Sequence, residues 1–70
     1  MAHESDHAEL SSLRSQLDEL ARRVETVALR YEETPDSAVA SELFEAERAL
    51  RSAGRIVERA LGTLGELTGS

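Results

Sequence analysis

The stretch Glu32-Glu33-Thr34-Pro35-Asp36 carries the only proline of the chain, close to its midpoint. A proline pushes the residue before it away from helical geometry, so an α-helix does not run smoothly through this point. Thr34 has the side chain of an N-cap, and Pro35 suits the first helical position. Asp36 suits the first turn, where a carboxylate meets the positive end of the helix dipole. The five residues predict a break between two helices, one over about 6–33 and the other over about 35–66, joined by a turn at 33–35.

Further out, Asp6 followed by Glu9 has the form of a capping box with Asp in place of Ser or Thr. It starts the first helix there and leaves residues 1–5 as a flexible N-terminus. Gly62, Gly65 and Gly69 weaken the second helix after about Leu64 and leave 68–70 as a flexible C-terminus. The chain reads as one domain over 6–67.

Both halves carry a heptad. The first has Leu10, Leu13, Leu17, Leu20, Val24, Val27 and Tyr31, at alternating spacings of three and four. The second has Val39, Leu43, Ala46, Leu50, Ala53, Val57, Ala60, Leu64 and Leu67, equally regular. A period of 3.5 held this long marks a supercoiled helical seam. Folded back at Pro35, the two registers agree: Val27 faces Leu43, Leu20 faces Leu50, Leu17 faces Ala53 and Leu13 faces Val57. Arg30 and Glu42 are expected to pair across the seam near the turn. The fold class is therefore all-α, an antiparallel two-helix hairpin, expected to assemble into a four-helix bundle.

Composition narrows the function. The chain has 70 residues, no cysteine and only two aromatics, Tyr31 and Phe44. Neither a disulfide nor a thiolate metal site is possible. Fourteen acidic residues against eight arginines give a net charge of −6, which argues against nucleic acid as a partner. No apolar run is long enough to span a membrane, and the first residues lack the pattern of a signal peptide. A cytoplasmic location is expected. Lysine is absent and arginine abundant, a bias expected of a GC-rich bacterial genome.

Seven seam layers make a marginal core, so more apolar surface is expected to be covered by a partner. The candidate surface is an edge formed by Ala21, Ala28, Ala40, Phe44 and Leu61, interrupted by Glu47. Ile56 on the opposite edge and Leu29 on the outer face add to it. Leu64 and Leu67 extend it at the open end. Its occupant is expected to be a second copy, giving a homodimer, or a larger protein.

Other motifs carry less. His3-Glu4-Ser5-Asp6-His7 matches the spacing H-E-x-x-H, which in zinc proteases places two imidazoles on one helix face. It lies at or before the helix cap and has no third histidine, so neither a metal nor a cofactor is expected. Arg48, Arg51, Arg55 and Arg59 form a stripe on the outside of the second helix. Glu45 and Glu47 can neutralise Arg48 and Arg51. Arg55 and Arg59 are left as the place where a phosphate-bearing small molecule would bind. The two histidines, His3 and His7, lie at the N-terminal end away from the body of the hairpin, where neither stands ready to activate a serine, and a hairpin encloses no cleft, so an enzyme is not expected.

Leu10-x-x-Leu13-Arg14-x-x-Leu17-Asp18 resembles the opening of all-helical chorismate mutases, but the active-site lysine usual in that family has no counterpart here. Leu43-Phe44-Glu45-Ala46, with Leu50-Arg51, is similar to the second helix of the exonuclease VII small subunit. That likeness covers under a dozen residues and implies only a class, the hairpin accessory subunit. The expected function is a non-catalytic interaction module, a small regulator or accessory subunit.

Overall fold

The computed structural model describes residues 2–69; Met1 and Ser70 lie outside the described residues. It contains two helices, α1 over Ala2–Tyr31 and α2 over Ser37–Gly69, packed against each other as a hairpin. At a rise of about 1.5 Å per residue, helices of this size make a rod. The Cα atoms extend over 55 × 14 × 11 Å.

The break lies at the expected place, and a single threonine organises it. Glu33 takes a left-handed conformation with φ of 60°, which stops α1 two residues earlier than expected. The Thr34 N–H donates to the Tyr31 carbonyl at 3.3 Å, and the Thr34 hydroxyl donates to the same oxygen at 2.5 Å. The Thr34 hydroxyl also accepts from the Asp36 N–H at 3.2 Å, as an N-cap does. Ser37 N–H to Thr34 C=O at 3.1 Å and Val39 N–H to Asp36 C=O at 2.9 Å complete a tight opening turn. Regular helix therefore starts at Ser37 rather than at 35.

At the other end, α1 already begins at Ala2, so Asp6 is an interior helical residue and not a cap. Ala and Glu are strong helix formers, and nothing before Asp6 breaks the helix. Glu4 lies in the first turn, where its charge opposes the dipole favourably.

The line of contact between the helices differs from expectation. Ala21 and Ala28 are fully buried, Ala40 is 3% exposed and Gly54 is buried, and no larger side chain among the described residues is fully buried. Leu13, Leu20, Tyr31 and Val39, expected in the seam, are instead 38%, 42%, 37% and 39% exposed. The contact follows Arg14, Ala21 and Ala28 on α1 and Ala40, Glu47, Gly54 and Leu61 on α2. Each of these follows by one residue a member of the expected stripe, a rotation of about 100° about the helix axis. Leu10, Leu17 and Val24, and Leu43, Leu50, Val57 and Leu64, border both stripes and are half-buried.

The register shifts as well. Arg14 Nη2 lies 3.4 Å from Glu58 Oε2, and a Cβ at Gly54 would lie 3.8 Å from Asp18 Oδ1. Both pairs fall two residues further along α2 than the expected alignment. The physical reason is that three alanines and a glycine let the backbones approach closely. Two rods touching along one line cover only one edge of a broad apolar stripe.

Candidate interaction face

Because α2 runs opposite to α1, residues one step before the contact line point to the same side of the hairpin on both helices. On α1 these are Leu13, Leu20 and Val27. On α2 they are Val39, Ala46, Ala53, Ala60 and Leu67. The half-buried leucines and valines form the groove between them. Every one of these positions is apolar from Leu10 on α1 and from Val39 to Leu67 on α2. At the open end, Leu10, Ala60, Leu64 and Leu67 line a concavity, with Asp6, Glu9 and Thr63 at its rim.

The opposite side of the contact line is mainly polar, Leu29 and Phe44 excepted. Arg14 bridges to Glu58, and the Arg51 guanidinium pairs with Glu47, whose side chain is only 12% exposed. The hydrogen bond to Glu47 is the chief reason the Arg51 pKa is raised, with the charges of Glu25 and Asp18 adding to it. Arg51 is thus a fixed cation held among three carboxylates. No buried side-chain polar atom among the described residues lacks a hydrogen-bond partner.

The candidate residues read from the sequence divide accordingly. Ala21, Ala28 and Ala40 are buried inside the hairpin and are not available to a second chain. The edge containing them faces the neighbouring helix because the seam is rotated. Leu61, on the same stripe of α2, and Phe44 are half-buried. Leu64 is half-buried in the groove, and Leu67 is 65% exposed at the end of the apolar face. Ile56 is 54% exposed at the rim of that face, whereas Leu29 is 55% exposed on the back of α1. Leu13 and Leu20, which are exposed, and Ala53, which is half-buried, were not foreseen as contact residues for a second chain. Their signal was the faultless heptad, which has the same appearance whether a seam closes within one chain or between two.

The charged candidates are dispersed. Arg55 and Arg59 are exposed and border a shallow concavity with Ser52, Ile56 and Glu58. The Glu58 carboxylate works against an anion there. Arg30 and Glu42 do not pair within the hairpin: among the described residues no ion pair includes either. His3 and His7 are exposed on the first turns of α1, and no described group of three His, Cys, Asp or Glu side chains could hold a metal. No helix among the described residues is long and apolar enough to cross a membrane.

Comparison with family models, with curated proteins and with solved structures finds no match.

Proposed function

We propose that this chain is a non-catalytic protein–protein interaction module, a small regulator or accessory subunit that acts as one half of a helical bundle. The observation that carries this reading is the uncharged face running from Leu10 to Tyr31 and from Val39 to Leu67. Scattered surface hydrophobes are ordinary, but a continuous apolar face on so small a chain is a binding surface or an aggregation hazard. The polar side of the hairpin, with its satisfied ion pairs, keeps the free module soluble and directs partners to the apolar side.

The test is the size of the tagged chain in an extract of its source cells. The wild type should elute as a complex well above 7.7 kDa. Leu20→Glu, a change at a position exposed in the lone hairpin, should return it to the free size. A wild type that runs as a free hairpin and is unaffected by Leu20→Glu contradicts the reading.

A further inference from the structure

We infer that the occupant of the apolar face is a second copy of this chain, stacked so that α1 of each copy lies on α2 of the other, with both turns at the same end. This deepens the interaction reading and rests on it.

The angular width of the apolar stripe sets the number of helices. On α1 the stripe that meets α2 and the stripe left open are one residue apart, hence about 100°. The same holds on α2. Neighbours a quarter-turn apart define a square of four helices, with Leu17, Val24, Leu50 and Val57 pointing toward its centre. A single added helix would form a triangle and would need a spacing of about 60°. The occupant therefore presents two helices side by side.

Three features favour a second copy as those two helices. The first is size. The apolar face runs about 42 Å along α2 from Val39 to Leu67, at about 1.5 Å per residue, and spans the 14 Å width of the hairpin, about 600 Å² per partner and so at the lower edge of a standard stable interface. The second is shape. The open stripe of α1 carries large side chains, Leu13, Leu20 and Val27, and the α2 stripe, between Val39 and Leu67 at its ends, carries small ones, Ala46, Ala53 and Ala60. A two-fold axis along the bundle brings Leu13 to the level of Ala60 of the second copy, Leu20 to Ala53 and Val27 to Ala46, given the register set by Arg14 with Glu58. Each large residue meets a small one, and the contact is self-complementary as two-fold symmetry requires. The third is charge. Arg30 and Glu42 flank the open face at the turn end, and among the described residues neither has an ion-pair partner. The same rotation sets Arg30 of each copy beside Glu42 of the other.

Sedimentation equilibrium of the purified chain at micromolar concentration tests the occupant. The mass should be twice 7.7 kDa. Leu20→Glu should weaken the dimer by at least about thirtyfold, and Leu29→Glu on the back of α1 should leave it intact. A purified chain that stays single, while the extract complex persists and still depends on Leu20, overturns the second copy and spares the interaction reading. Introduced thiols are unique because the chain has no cysteine. Leu20→Cys mixed with a tagged Ala53→Cys should give a mixed disulfide on air oxidation, and Leu20→Cys alone should give little. These mild changes decide the arrangement even if Leu20→Glu unfolds the chain. Self-linking of Leu20→Cys in preference to the mixed product, or a dimer that forms no mixed disulfide, overturns the stacking of α1 on α2.

Discussion

The stripe Arg14–Ala21–Ala28 and the stripe Leu13–Leu20–Val27 run side by side on α1, yet they differ in content and in surroundings. The first holds small and charged residues and is covered by α2, with Ala21 and Ala28 fully buried. The second holds the large aliphatic side chains and lies open, with Leu20 42% exposed. On α2 the same division separates Ala40–Glu47–Gly54–Leu61 from Val39–Ala46–Ala53–Ala60. A free-standing hairpin gains most by turning its leucines inward. This one spends its line of closest contact on alanine, glycine and ion pairs, with Leu61 at one end, and leaves the groove leucines half-buried and Leu13 and Leu20 exposed. The difference teaches that contact within the hairpin is made by the small residues of each helix, while Leu13 and Leu20 stay exposed beside it.

Breaking this division at its most apolar point should have the largest effect. Leu20→Glu is expected to destroy assembly, read as the loss of the double-mass species on light scattering. Filling the covered stripe should be the next most damaging change. Ala21→Leu forces a large side chain into a fully buried site and is expected to cost about 1–3 kcal/mol in urea unfolding, although it adds apolar surface. An unchanged midpoint would mean that Ala21 is not at the line of contact.

Gly54 sharpens the comparison in the opposite direction. An added Cβ would meet only Asp18 Oδ1, at the ordinary contact distance of 3.8 Å. Gly54→Ala should therefore gain most of the helix-propensity difference, about 0.5–1 kcal/mol of stability. A loss would show that the helices approach more closely than this. Smallest of all, removing the bridge from the polar side by Arg14→Ala should cost about 0.2–1 kcal/mol, and the cost should fall in high salt. A larger, salt-independent loss would mean that Arg14 contributes mainly by packing its stem.

The turn was the most legible part of the sequence. Thr34, Pro35 and Asp36 act within a few residues of one another, and their chemistry does not depend on the rest of the fold. The hairpin followed from two matching heptads. The rotation of the seam was hidden for a physical reason. A hydrophobic period locates the centre of a helix's apolar arc, and here one edge of that arc, not its centre, meets the neighbouring helix. Assigning the centre to one neighbour misplaces the contact by about one residue. Ala21, Ala28 and Ala40 were visible as a small apolar edge, but nothing local distinguishes an edge open to a partner from one closed by the next helix. Asp6 was misplaced because a capping pattern starts a helix only where the residues before it are poor helix formers.

Small-angle scattering combined with light scattering on the purified chain tests most directly whether the open leucine face is closed by a second hairpin. Side-by-side stacking with both turns together doubles the mass from 7.7 kDa while leaving the longest dimension close to that of the single rod, whose Cα extent is 55 Å. A particle of single mass, or one of double mass and nearly double length, would contradict it.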